Sequence, residues 1–296
     1  MKTKYKKNEV LTAVLFLAPS VLLWLFWFLY PALKSMRLSF YDYSFINPER
    51  QKFVGLDNYI RLFQDSAFLD ALKHTFILAF VVVAFISVLA FIIAVLLEGN
   101  IRGKTFFRTV CFMPYIISSV AVSIFFMYFF VKGGLGTRLF MLFGAEDTTW
   151  FTNKNYALFF VAIIYIWQQL GFYMILYIGG LQNISEEIYE AAKIDGAGHL
   201  RIFFQIIFPL VKPSIATLAV LKFVWTWNDY QTPLIFLSNR KLFTIQLGMK
   251  LFASESGSIY PLTMAAAVSA TIPLIILFLF GQRYIIDGIA SGAVKG

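Results

Sequence analysis

The sequence predicts an all-α integral membrane protein with six transmembrane helices. Composition is the first reason. The 296 residues are 59% hydrophobic and only 14% charged, and mean hydropathy is +0.74. A soluble domain of this length needs far more charge to cover its surface. The second reason is run length, since several apolar stretches reach the roughly 18 residues that cross hydrocarbon. The third is aromatic content, 19% with 34 Phe and 15 Tyr. Tyr and Trp suit the interface, where a ring sits half in lipid and half in water.

The spans follow in order. Val10–Tyr30 carries no charge. It follows a lysine-rich start and so imitates a signal peptide. A signal core is shorter and ends at a small-residue cleavage site. This run ends at Leu29-Tyr30-Pro31, which predicts an uncleaved first helix. The second span is expected at about Thr75–Leu97 and the third at about Thr109–Val131. The fourth lies within the uncharged stretch Asn155–Ser185. The fifth covers about Ile206–Asn228, where Lys212 and Lys222 either snorkel to an interface or face a wet cavity. The sixth covers about Pro261–Gln282. Pro19, Pro114 and Pro273 are tolerable because neighbouring helices can satisfy the carbonyls they free. The segment Phe53–Phe63 in the longest loop reads as ordered. One membrane domain, 1–296, with a loop at about 182–205, accounts for the chain.

Six spans put both termini on one side. With that side cytoplasmic, Lys and Arg number 12 inside and 12 outside, with Lys222 left in a span. The inner segments are shorter, so basic density favours this orientation, as do the lysines before the first helix. The net charge of +9 is scattered among loops and forms no basic, aromatic-interleaved surface, which argues against nucleic-acid binding. Headgroup contact in a lipid bilayer is the simpler reading. The single cysteine, Cys111, sits in an apolar run. It excludes an intrachain disulfide and makes a poor reactive thiol.

The loop between spans four and five has the most defined local pattern. Ser185 is a good N-cap, Glu186 and Glu187 suit the first helical turn, and Ile184 with Tyr189 occupy staple positions. Gly196 and Gly198 can end the helix with φ > 0. Ala191 and Ala192 are small enough for another surface to approach closely.

Glu190-Ala191-Ala192, three residues, Gly196, nine residues, then Ile206-Ile207-Phe208-Pro209 resembles the EAA motif of binding-protein-dependent ABC importer permeases. The usual ending is Ile-x-Leu-Pro, and Phe208 departs conservatively from it. The resemblance implies the type I ABC importer permease fold. It also implies that Glu190, Ala191, Ala192, Asp195 and Gly196 belong to a coupling helix that docks on a separate ATPase. Tyr30-Pro31 through Tyr43, followed by Phe53–Tyr59, is similar to the larger maltose-type permease of the carbohydrate-uptake branch. Trp227–Tyr230 and the tail Ala290–Gly296 instead resemble the smaller one, whose tail reaches the interface of its ATPases. Gly292 and Lys295 become candidate tail contacts; a frayed terminus is the alternative. The mixed character leaves hetero- and homodimeric permease pairs both open. The implied partners are a second permease, an ABC ATPase dimer and an extracytoplasmic solute-binding protein, in a bacterial cytoplasmic membrane.

No catalytic motif competes with this reading. Gly99–Thr105 imitates a P-loop, but only three residues separate Gly99 from Gly103, and a membrane helix precedes it in place of a strand. The chain is therefore expected to bind no cofactor, with ATP and Mg held by the ATPase. His74 and His199 are isolated, and no metal or paired-carboxylate pattern appears in a span.

Solute contacts are sought among aromatics and amides in spans four and five, since aromatic faces cover sugar C–H surfaces and amides bond hydroxyls. Trp167, Gln168, Gln169, Tyr173, Trp225 and Asn228 are the candidates. Helix–helix bonding is the competing role for the glutamines. A mono- or oligosaccharide is the expected solute. Another polar solute, such as a glycerol phosphate or polyol, is the alternative. A secondary transporter would need more ionisable groups inside its spans than Lys222.

Overall fold

The computed structural model describes residues 7–43, 49, 51–99, 101–254 and 260–293. Five continuous helices are long and apolar enough to cross a membrane: Glu9–Leu38, Ser66–Glu98, Ala157–Leu181, Phe203–Asn228 and Tyr260–Tyr284. The pair Lys104–Ile116 and Ser119–Phe129 meets the same length and apolarity only when taken together, and counted as one broken span it makes the sixth. The chain divides into two compact units, Met1–Asp65 with Met249–Thr271 and Ser66–Gly248 with Ile272–Gly296.

Two spans widen locally in the same way. Leu25–Leu29 and Phe203–Ile207 are π-helical turns, and each ends two residues before a proline, Pro31 or Pro209. Proline cannot donate to the carbonyl four residues back, and its ring crowds that carbonyl. A wider turn moves the carbonyl aside, and a π-bulge supplies it.

In the first unit, the segment Phe53–Phe63 holds regular structure as expected, and the described part of the loop also contains strands that the helical reading missed. Tyr41–Asp42 (β1) pairs antiparallel with Lys52–Phe53 (β2). Gly55, at φ 58, turns the chain into the helix Asp57–Gln64. Asn58 ties helix to hairpin by donating to the Ser39 and Tyr41 carbonyls at 2.8 and 3.0 Å.

In the second unit, span four is the central helix. Span two packs along it, and the first limb of span three and span five also lie against it. Phe91 of span two touches Tyr177 of span four and Phe203 of span five, with ring centroids 5.6 and 5.9 Å apart. Thr217 of span five donates to the Tyr284 carbonyl of span six at 2.8 Å.

Span three departs from the expected unbroken helix over about 109–131. Its two limbs meet at 89°, with Ile117 and Ser118 extended (ψ 135 and 130). Pro114 removes one backbone donor just before the break. Gln168 of span four then donates to the exposed Ile117 carbonyl at 3.1 Å and reaches the Ser119 hydroxyl at 3.4 Å. Non-helical backbone at membrane depth is stable only with such a partner inside the protein.

One turn beyond Gln168, Gly171 lets the helices meet backbone to backbone. A Cβ at this position would lie 2.0 Å from the Cys111 carbonyl oxygen. Gly171→Val should therefore force spans three and four apart, at an overpacking cost of about 1–3 kcal/mol or more. Gly180→Ala, whose Cβ would sit 3.6 Å from the nearest atom, should be neutral. Membrane yield and thermal stability in detergent check the pair. Equal stability of both variants would contradict the close approach.

Candidate functional site

A cavity of about 460 Å³ opens between spans four and five, lined by Tyr165, Gln169, Lys222, Val224, Trp225, Asn228 and Asp229. Helical spacing explains which side chains meet there. Tyr165, Gln169 and Tyr173 recur every four residues on span four, and Lys222 and Trp225 are three apart on span five.

Lys222 is only 1% exposed. Its ammonium donates to Gln169 Oε1 at 2.5 Å. It also lies 5.4 Å from the ring centre of Tyr165 and 5.8 Å from that of Tyr173, within cation–π reach. Among the described residues, no carboxylate pairs with it within 4.0 Å. Asp229 follows directly on span five. One of its oxygens accepts the Tyr165 hydroxyl, and the other accepts the amides of Gln231 and Thr232 at 2.9 and 3.3 Å. Burial pushes its carboxyl up from the ordinary value, against the pull of the bonds from Thr232 and Gln231. Asn228 donates to the Val224 carbonyl and accepts from Gln246 at 3.1 Å.

The six solute candidates divide. Gln169, Trp225 and Asn228 line the cavity, and Tyr173 touches it through Lys222. Gln168 and Trp167 do not line it. Gln168 is turned to the break in span three, and Trp167 packs on Phe126 at 5.4 Å. Neighbours on a helix point about 100° apart, so two adjacent glutamines cannot share one task. Sequence reasoning missed Tyr165 and Asp229 as lining residues. It left Lys222, like Lys212, undecided between a wet cavity and snorkelling, although a charge within an apolar span was the available signal. Lys212, nearer the span's start, is exposed.

The loop helix spans Glu186–Ile194. Gly196 adopts φ 72, and the Ala197 amide returns to the Ala192 carbonyl at 3.0 Å, the pattern of a glycine C-terminal cap. Glu190 and Asp195 are exposed, as are Ile188 and Ile194, the latter at 86%. Ala192 is different: it is buried in the core of its own chain, at 6% exposure. The small residue at 192 therefore serves close packing within the chain, and the outward apolar surface comes from Ile188 and Ile194. The side chain of Ala191 lies outside the described residues. Gly292 falls within the helix Tyr260–Ala293, and Lys295 lies outside the described residues. No group of three or more metal-ligating side chains occurs among the described residues.

Known proteins share both the sequence pattern and the architecture. MelC of Bacillus subtilis (strain 168), a melibiose/raffinose/stachyose import permease protein, is 47% identical over 122 residues. That match covers 41% of this chain and 44% of MelC, so it spans less than half of that relative. UgpA of Escherichia coli (strain UTI89 / UPEC), an sn-glycerol-3-phosphate transport system permease protein, is 33% identical over 73% of this chain and 72% of its own length. LacF of Rhizobium radiobacter, a lactose transport system permease protein, is 35% identical, with 72% of each chain covered. The backbone is similar to a bacterial ABC transporter involved in the import of the acidic polysaccharide alginate, with TM-score 0.79, 20% identity and 98% of both chains covered. Residues 86–290 match the family described as binding-protein-dependent transport system inner membrane component, and the chain is a member of that family of integral membrane permease subunits.

Proposed function

We propose that this chain forms, with a second permease, the pathway for a mono- or oligosaccharide in an ATP-driven importer. The observation that carries this is the cavity between spans four and five. Its wall combines aromatic faces, amides and one buried ammonium, the equipment that binds a polyhydroxylated solute. The sugars named for MelC and LacF support the same reading. An extracytoplasmic binding protein delivers the solute, and a separate ATPase pair holds ATP and Mg. Both termini lie in the cytoplasm of a bacterial cell, which puts the Glu186–Ile194 helix on the ATPase side. Ile188 and Ile194 offer the apolar contact there, ringed by Glu190 and Asp195.

Transport of radiolabelled oligosaccharide by the assembled importer tests the pathway. Gln169→Leu removes the only oxygen hydrogen-bonded to the Lys222 ammonium among the described residues. Stranding that group costs about 1–3 kcal/mol, so uptake should fall by about tenfold or more with the permease still inserted. Normal uptake would take Gln169 out of the pathway.

Coupling is tested at the loop helix. Gly196→Val meets no neighbour, so its penalty is conformational, about 1–2 kcal/mol for a left-handed position and more for a β-branched residue. Ile194→Asp removes exposed apolar surface without touching the core. Both variants should lose the ATPase on purification, or lose solute-stimulated hydrolysis, at normal membrane levels. Retention and stimulation equal to wild type in both would contradict docking through this helix.

A further inference from the structure

The cavity wall carries both acceptors and donors. Its side-chain acceptors each receive bonds from the protein: Asp229 from Tyr165, Gln231 and Thr232, Gln169 Oε1 from Lys222, and Asn228 Oδ1 from Gln246. The Asn228 amide nitrogen is turned back to Val224. Donors line the same wall: the Gln169 amide nitrogen, the Trp225 indole N–H and the Lys222 ammonium. An anionic oxygen only accepts.

Charge points the same way. Asp229 has its charge answered by the Tyr165 hydroxyl, the Thr232 side chain and the backbone amides of Gln231 and Thr232. Lys222 has one neutral oxygen and two ring faces. A ring face is a weaker partner than a charged oxygen, and a buried ammonium is costly without a counter-ion. Gln169 and Trp225 line the same cavity as Lys222 and bring further N–H donors to it.

We propose that the saccharide carried through this cavity bears an acidic group, a carboxylate or a phosphate ester, and that the Lys222 ammonium is its counter-ion and the residue that selects it. This rests on the sugar reading above.

The test uses cells carrying the whole importer and three labelled probes: melibiose, digalacturonate and galactose 6-phosphate. Preferred uptake of digalacturonate identifies a carboxylate, and preferred uptake of galactose 6-phosphate a phosphate; either supports the proposal. Lys222→Gln should then lower acidic uptake by about tenfold or more, the usual scale of one charge-assisted bond, while Lys222→Arg retains most of it. Should Lys222→Gln fail to insert, Gln169→Glu decides. It sets a carboxylate against the ammonium and should lower acidic uptake comparably. Melibiose uptake equal to or above both acids overturns the acidic group and leaves the sugar reading intact. Unchanged acidic uptake in Lys222→Gln or Gln169→Glu overturns the role of Lys222. Uptake of none of the three, alongside transport of a non-sugar solute, overturns both readings.

Discussion

A backbone carbonyl or an ammonium that this chain carries into the bilayer must find its partner within protein or water, because lipid offers none. The arrangement of spans three, four and five follows from that constraint. Span three breaks at Ile117–Ser118 and exposes a carbonyl, which Gln168 takes. Span five carries an ammonium at Lys222, which Gln169 takes. Adjacent residues of one helix thus satisfy two different neighbours on two different faces. Gly171 makes this possible by bringing span three close enough for an amide to reach backbone.

The same constraint separates structure from site. Where the polar partners are saturated, as at the span-three break, the glutamine acts as a fastening. Where donors remain, as around Lys222, the helices leave a cavity instead of a packed seam. Asp229 lies on the structural side of that division. Its carboxylate holds Tyr165 of span four and the start of the short helix Gln231–Phe236, and so fixes one part of the cavity wall.

Apolar runs made the spans legible in the sequence, and the loop helix was legible from its glycine and acidic residues. Gly196 takes the positive φ expected of it, and the helix stops at Ile194, two residues before that glycine. The break in span three was not legible. Hydropathy is blind to it, and Pro114 alone is tolerated in straight membrane helices; the partner that makes the break affordable lies 51 residues away in sequence. The split between Gln168 and Gln169 was equally hidden, since composition cannot say which face of a helix meets which neighbour. Ala192 was misplaced for the same reason: a small residue fits a close contact on either side, and only the fold shows that its own chain fills it. The hairpin Tyr41–Phe53 escaped because two-residue strands carry no periodicity.

That the space between spans four and five is the solute's route is most directly tested by thiol labelling. Cys111 is the chain's one cysteine, so Cys111→Ser gives a clean background. In the assembled importer, Trp225→Cys and Asn228→Cys should react with a charged, membrane-impermeant methanethiosulfonate, and the transported solute should protect both. A cysteine at Gln168, turned to the span-three break, should be neither labelled nor protected. Labelling of Trp225→Cys and Asn228→Cys that solute leaves unchanged, or protection confined to position 168, would contradict the account.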